Sequence, residues 1–192
     1  RPGDPSGINY WLSRSNESLT IKEISNELSR QDEYIKSVVR NKSLDFKVNK
    51  VYLNLFNRKA DFDGLNYWIE MINNQEYQIS DIVYNLIYAK KKPYTENLEQ
   101  SKRDINILNN KVFAAELFTK QISQSITLIN LYQPASISPW QTSKAFISVS
   151  NFLSLVSFER VSVENIKHVI NSLSDVPLDI LNKPAIEMKD IS

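Results

Sequence analysis

Hydrophobic residues recur at every third or fourth position along most of the chain, which is the spacing of one face of an α-helix. The clearest example runs from Asp45 to Asn57, and its apolar positions are Val48, Val51, Tyr52, Leu55 and Phe56. Asn57 stands where a left-handed residue commonly ends a helix. We find no convincing run of alternating apolar and polar residues, the pattern of a half-buried strand. The pattern predicts an all-α protein.

Residues that cap helix N-termini mark where the predicted helices begin. Asp, Ser and Thr side chains accept hydrogen bonds from free amides of the first turn, and proline suits the first helical position. A Glu or Gln three residues later completes a capping box. Such signals occur at Asp4-Pro5, Thr20–Glu23, Asp61, Ser80, Ser138–Gln141 and Ser162. After Asp61, the apolar face is Leu65, Trp68, Ile69 and Ile72.

The second half of the chain predicts longer helices. No proline or glycine lies between Ser101 and Tyr132, and helical spacing is kept by Ile105, Leu108, Val112 and Ala115. A helix is predicted from about Pro139 to Val156, and a last one carries Val163, Ile166 and Ile170. The tail from Ser174 contains two prolines and weak periodicity, so we expect it to be irregular.

An internal repeat becomes visible when the chain is aligned with itself at an offset of 57 residues. Six of the twelve positions in 1–12 are identical to those in 58–69. The shared motif in the first copy is Arg1, Asp4, Gly7, Tyr10 and Trp11, and in the second copy Arg58, Asp61, Gly64, Tyr67 and Trp68. A period of this length holds several helices and indicates a duplicated helical unit.

The repeat predicts how the chain is organised. Residues 1–44 form a first, N-terminally truncated repeat unit, and residues 45–100 form the second. Residues 101–173 are a long-helix extension packed on the repeats, and residues 174–192 are a tail or linker. We expect one compact, multi-helix domain overall, built from two related helical units and a C-terminal helical extension.

Each motif residue has a structural interpretation. Asp61 is expected to cap its helix, and Gly64 to let another group approach the backbone closely. Trp68 lies on the apolar stripe and should belong to the core. Arg58 is expected to pair with Asp61 or with carbonyl groups that end the previous helix. The corresponding residues of the first copy should repeat these roles.

The motif resembles a bacterial, notably cyanobacterial, domain of unknown function whose signature reads roughly L-Y-x-x-x-L-G-R-x-P-D-x-x-G-L-x-Y-W. The stretch from Val51 to Trp68 matches the whole signature once, with Asn57 at the family's Gly and Ala60 at its Pro. Residues 1–11 match its second half. Residues 108–119 are similar to the segment that follows in cyanobacterial members, and residues 155–173 to their closing helix.

The resemblance implies a context. Such domains occur in large exported or surface-layer-like proteins beside hemolysin-type (RTX) calcium-binding repeats, and they are distantly similar to phycobilisome rod-linker domains. We therefore expect a non-catalytic structural or interaction module, extracellular or at the cell surface. The expected partners are neighbouring domains, other protein subunits or envelope glycans. The alternative is an intracellular, cytoplasmic, linker-like scaffold. The motif starts midway at Arg1, so a helix resembling 48–56 is expected upstream of it.

Composition narrows the chemistry. The chain has no cysteine, one histidine, His168, and three glycines. The sequence therefore contains no thiol nucleophile, no zinc knuckle and no glycine-rich phosphate loop. We expect no enzyme activity and no cofactor. The net charge of +1 gives no general attraction to nucleic acid, and no apolar run is long enough to span a membrane.

Two binding hypotheses stay open beside the structural one. Asp61 and Asp63 are candidates for a calcium site, but an EF-hand loop starting at Asp61 would place Leu65 and Ile72 at ligand positions. Helix capping is therefore the favoured interpretation. The Tyr-Trp pairs could form a sugar platform, although helical spacing favours the core. Trp140 lies off any clear stripe and is the candidate for an exposed, ligand-binding aromatic residue.

Overall fold

A computed structural model describes residues 1–17, 19–89, 98–133 and 143–173. Within these ranges the chain is helical and contains no strand, so the predicted all-α class is confirmed. The ten α-helices are α1 Pro5–Asn16, α2 Ile21–Ser29, α3 Asp32–Tyr34, α4 Leu44–Phe56, α5 Phe62–Asn73, α6 Ile79–Ala89, α7 Leu98–Ile122, α8 Ile126–Tyr132, α9 Lys144–Leu155 and α10 Val163–Asn171. A π-helical segment, Ile35–Val39, follows α3 and was not predicted.

Most predicted helix ends are confirmed. Thr20 and Ser162 form capping boxes, and Asp61 accepts the amide of Gly64. Asn57 ends α4 with a φ of 58°, in the left-handed region. Ser80, however, lies inside α6 rather than at its cap, because α6 already begins at Ile79. The Ser138–Gln141 signal and the tail from Ser174 fall outside the described residues.

The long stretch between Ser101 and Tyr132 is interrupted, although it contains no proline or glycine. α7 ends at Ile122 and α8 begins at Ile126. The intervening residues Ser123, Gln124 and Ser125 are polar, and the Ser123 hydroxyl donates to the carbonyl of Lys120 at 2.9 Å. Serine side chains that bind the backbone compete with helix continuation. The break therefore has a local cause that hydrophobic spacing does not reveal.

The chain divides into two compact units that cut across the predicted repeat boundaries. One unit, called unit 1 below, comprises Arg1–Ile8 together with Val112–Ser192, and unit 2 comprises Asn9–Lys111. Unit 2 thus holds most of both predicted repeats. The boundary falls within α1 and within α7, because the motif segment before α1 is held by residues of the later chain.

Unit 2 is built around α4. This helix packs against both α5 and α6, and α2 packs against α6. Because α2 follows the first motif helix, α1, as α6 follows the second, α5, the repeats meet through corresponding elements. The buried core of the unit consists of Val48, Val51, Tyr52, Phe56, Trp68, Ile82, Leu86 and Leu108. The predicted apolar face of 48–56 is therefore the face that α4 buries.

Unit 1 is built from the end of α7 and from α8, α9 and α10. α9 packs against both α8 and α10. Its buried core consists of Ala114, Phe118, Ile122, Leu128, Tyr132, Val149, Val156, Ile166 and Ile170. The buried hydroxyl of Tyr132 donates to the carbonyl of Pro2 at 2.9 Å. This bond fastens the segment before α1 to the core of unit 1.

The left-handed end of α4 gives a first prediction. Asn57→Ala should lower the free energy of unfolding by about 1 kcal/mol, because an ordinary L-residue is strained at positive φ. Asn57→Gly should be at least as stable as the natural chain. Urea denaturation followed by circular dichroism measures both. An alanine variant as stable as the natural protein would contradict the conformation described for this position.

Candidate functional site

The second copy of the motif is organised by the carboxylate of Asp61. Its Oδ1 accepts the backbone N–H of Gly64 at 2.8 Å, which caps α5. A Cβ on Gly64 would lie 2.9 Å from that same oxygen and 3.2 Å from the hydroxyl of Tyr52. A side chain at this position would therefore have to displace the capping carboxylate, which glycine leaves in place.

The first copy reproduces this local geometry. Asp4 Oδ1 accepts the N–H of Gly7 at 2.6 Å, and a Cβ on Gly7 would lie 2.8 Å from Asp4 Oδ2. The arginines also correspond: an Arg1 nitrogen lies 3.6 Å from Asp4, and an Arg58 nitrogen lies 3.7 Å from Asp61. Each arginine also donates to the carbonyl of the next residue at 3.0 Å. The sequence repeat is thus a structural repeat.

The second helix of each repeat begins in the same manner. Thr20 N–H donates to Glu23 at 2.7 Å, and Gln78 N–H donates to Asp81 at 2.8 Å. In both cases a carboxylate three residues into the helix binds the amide at its start. The equivalence extends the duplication through α2 and α6, at an offset of 58 residues.

Arg58 makes a contact that the sequence did not predict. Its guanidinium binds the carboxylate of Asp104 on α7 with two nitrogens, at 2.9 Å and 2.6 Å. Burial acts to lower the pKa of Arg58, but the hydrogen bonds and charge of Asp104 outweigh it and raise that pKa. The predicted pairing with Asp61 is present, while the carbonyl groups that end α4 are bound by a different residue.

That residue is Lys111 on α7. Its ammonium donates to the carbonyl of Asn54 at 2.7 Å and lies 3.4 Å from that of Leu53. A cation at a helix C-terminus also interacts favourably with the helix dipole. Burial, together with the charge of Lys50, lowers the pKa of Lys111 to about 8. Lys111 therefore caps the C-terminal end of α4 by binding its carbonyl groups.

The predicted face of α7 is wrong at one position and incomplete at others. Val112 is 47% exposed, whereas Asp104, Lys111 and Thr119 are buried. The buried positions of α7 are Asp104, Leu108, Lys111, Ala114, Phe118, Thr119 and Ile122. Their spacing is helical, so the signal existed in the sequence, but polar residues are ordinarily assigned to the solvent face.

The two tryptophans differ in their surroundings. Trp68 is 5% exposed, and its indole N–H donates to the hydroxyl of Tyr52 on α4 at 3.1 Å. Trp11 is only partly buried, and α1 has no fully buried residue. The expectation that Trp11 belongs to the core is therefore wrong. The physical reason is that α4 covers Trp68, and no described helix covers Trp11 in the same way.

Tyr10 and Tyr67 are the exposed halves of the aromatic pairs. Tyr10 is 56% exposed and Tyr67 is 47% exposed. Each tyrosine ring lies 5.0 Å from the neighbouring indole in an edge-to-face arrangement. Edge-to-face packing is an ordinary way for neighbouring rings to contact each other and does not present two parallel faces to a sugar.

Asp4 is held more tightly than its counterpart. Besides Gly7, its carboxylate accepts the hydroxyl of Ser6 at 2.8 Å. Burial acts to raise the pKa of Asp4, but these bonds and the charge of Arg1 outweigh it and lower that pKa. Thr119 donates to the carbonyl of Gly3 at 2.6 Å, next to Asp4. The Asp4 side chain is 10% exposed, whereas that of Asp61 is 65% exposed.

The remaining candidate residues are the two proposed calcium ligands, the histidine and Trp140. Asp61, 65% exposed, already uses one oxygen for the cap and the other for Arg58. Asp63 lies exposed in the first turn of α5, and in the part of the chain that the structure describes no three acidic or histidine side chains group into a metal site. His168 is exposed on α10. Trp140 lies outside the described residues.

Comparison with protein-family models, curated proteins and solved structures found no match for this chain. None of the described helices is long and apolar enough to cross a membrane. The motif itself uses its charged groups within the protein: carboxylates bind amides and guanidinium groups, and a guanidinium binds a carboxylate. Chemically, this arrangement fixes helix starts and turns.

The unequal surroundings of the two aspartates give a second prediction. Asp4→Ala should cost about 2 kcal/mol of unfolding free energy, because it removes a cap and leaves Arg1 beside a partly buried gap. Asp61→Ala should cost about 0.5 to 1 kcal/mol, the usual loss of an exposed cap. Chemical denaturation of both variants checks this order.

Matched asparagine variants separate the cap from the charge. Asparagine still caps a helix, so Asp61→Asn should be nearly neutral, whereas Asp4→Asn should lose stability because it removes the largely buried ion pair with Arg1. Equal losses at the two positions would show that burial does not distinguish the copies.

Lys111 gives a prediction about pH. Its pKa in the folded protein, about 8, lies below its ordinary value of 10.5, so the unfolded chain binds more protons between these values. Stability should therefore rise by about 1 to 2 kcal/mol from about pH 7.5 to about pH 9.5. This range stays below the pKa of Tyr34, which burial raises to about 12.

The control for this measurement is Lys111→Met, which removes the titrating group and keeps a long apolar side chain. Its unfolding free energy, from urea denaturation at the same pH values, should lack the rise. If the unfolding free energy of the natural chain does not rise relative to that of this variant, the carbonyl groups of α4 keep the ammonium charged.

Proposed function

We propose that this protein is a non-catalytic structural and interaction module of a large exported or cell-surface bacterial protein. In this role the duplicated motif builds a rigid helical scaffold, and the exposed surfaces of the helices contact neighbouring domains or subunits. The export context rests on the resemblance of the motif alone. Detection of the parent protein on intact cells, by surface proteolysis, tests that part of the proposal.

The observation that carries the proposal is the internal use of the motif. Arg58 is bound to Asp104, Asp61 to the amide of Gly64, and the indole of Trp68 to Tyr52. A binding or catalytic motif keeps polar groups available for a ligand, whereas here the same groups hold the fold together. The repetition of the cap geometry in both copies fits a scaffold that is built by duplication.

The calcium hypothesis supplies the sharpest test. We expect calcium at about 5 mM to leave the melting temperature unchanged. This concentration would saturate an extracellular calcium site, since such sites bind at about 0.1 to 1 mM. The expectation follows because both oxygens of Asp61 are already engaged. Thermal melting by circular dichroism, with magnesium as the control ion, measures the effect.

Two variants make the result interpretable. Asp63→Asn removes the second candidate ligand while leaving the cap, and Asp61→Asn keeps the cap while removing the charge. A calcium-dependent rise in melting temperature that both variants abolish would replace the scaffold with a calcium-binding module.

A further inference from the structure

We propose that incompletely buried apolar residues of α1 and α2 together form a docking face, as their equivalents in α5 and α6 belong to one core cluster, and that this face binds an amphipathic helix with the pattern of α4, supplied by a neighbouring unit that carries the same motif. The docking face is defined by Trp11 and Leu12 of α1 and by Ile24 and Leu28 of α2. This inference rests on the proposed role as an interaction module and names the kind of partner.

The second repeat shows how such a face is covered. α4 packs against both α5 and α6 and brings Val48, Val51 and Tyr52 into the core. Under this cover Trp68 is 5% exposed, Leu86 is 5% exposed, and Ile82 is fully buried. A single amphipathic helix thus covers the two helices that follow it in the repeat.

The first repeat has the same side chains without that cover. By the offsets of the repeat, Trp11 corresponds to Trp68, Ile24 to Ile82, and Leu28 to Leu86. Trp11 and Ile24 are only partly buried, and Leu28 is 44% exposed. Leu12, which corresponds to the partly buried Ile69, is 57% exposed. The residues that are more exposed in the first repeat are therefore the equivalents of those that pack with α4 in the second.

The indole of Trp11 supports the same occupant. Trp68 donates its indole N–H to Tyr52 of α4. Among the described residues, the indole N–H of Trp11 has no such acceptor. A helix that carries a tyrosine at the Tyr52 position would supply the acceptor together with the apolar cover.

The packing of α4 on α5 and α6 also defines the residues that the partner helix needs. It needs branched apolar residues at the positions of Val48 and Val51, tyrosine at the position of Tyr52, and Leu55 or an equivalent one turn later. Burial of an aromatic anchor in an apolar face contributes most of the affinity of such helix-in-groove complexes. A glycan stacked on Tyr10 and Trp11 is the competing occupant and would not require this pattern.

The test uses the full chain and a synthetic peptide with the sequence of residues 43–57. The peptide is titrated into protein labelled with ¹⁵N at the indoles, and each indole signal is assigned with a Trp→Phe variant. We expect the Trp11 signal to shift as its N–H gains an acceptor, and the Trp68 signal to stay in place. A Tyr52→Phe peptide should bind about three- to tenfold more weakly, the effect of one hydrogen bond.

Substitutions in the protein locate the binding face. Trp11→Ala and Leu28→Asp should each weaken peptide binding by about tenfold or more. Phe62→Asp is the matched control, since Phe62 is 78% exposed on α5 and lies outside the proposed face. Circular dichroism confirms that each variant is folded before its affinity is compared.

Several results would overturn the inference. These are no binding at millimolar peptide, binding that neither Trp11→Ala nor Leu28→Asp weakens, and movement of the Trp68 signal, which would mean that the peptide displaces the protein's own α4. A shift of Trp11 with oligosaccharide but not with peptide would assign the face to glycans and also reject it. None of these results alters the calcium test of the scaffold role, so the two proposals can fail separately.

Discussion

The ion pair between Arg58 and Asp104 holds the turn between α4 and α5 against α7. Both side chains are largely removed from solvent, 26% and 13% exposed, so either charge would be poorly compensated without the other. The planar guanidinium is also bound to the carbonyl of Lys59 and lies 5.3 Å from the ring of Tyr52. One side chain, Arg58, therefore links the turn, α7 and the ring of Tyr52, which in turn accepts the hydrogen bond of Trp68.

The two copies of the motif show which interactions are specified locally. The cap, the glycine beneath it and the arginine over the next carbonyl are alike in both, because every partner lies within three residues. What surrounds these local structures differs. Asp61 faces solvent, whereas Asp4 accepts the hydroxyl of Ser6 and follows a segment bound by Tyr132. A duplicated sequence thus gives the same helix start in two environments of different polarity.

The same distinction explains what could be predicted from the sequence. Capping boxes and the left-handed Asn57 could be predicted because their partners are close in the chain. The partners of Asp104 and Lys111 lie 46 to 58 positions away, and both residues are polar, so neither distance nor hydropathy identified them as buried. The partial burial of Trp11 could not be predicted for a related reason: a residue's own pattern shows that it can be buried, but the covering helix decides whether it is.

The discontinuous make-up of unit 1 has a consequence for the order in which the chain assembles during synthesis. Unit 2 is one uninterrupted stretch, Asn9–Lys111, and all of its residues leave the ribosome before α8 exists. The bond from Tyr132 to Pro2 joins positions 130 residues apart, and a loop of that length closes at an entropic cost. The residues that bind the segment before α1 over long range, Thr119 and Tyr132, are therefore translated after unit 2 is complete. Because domains generally fold as they are translated, the continuous unit 2 is expected to form first.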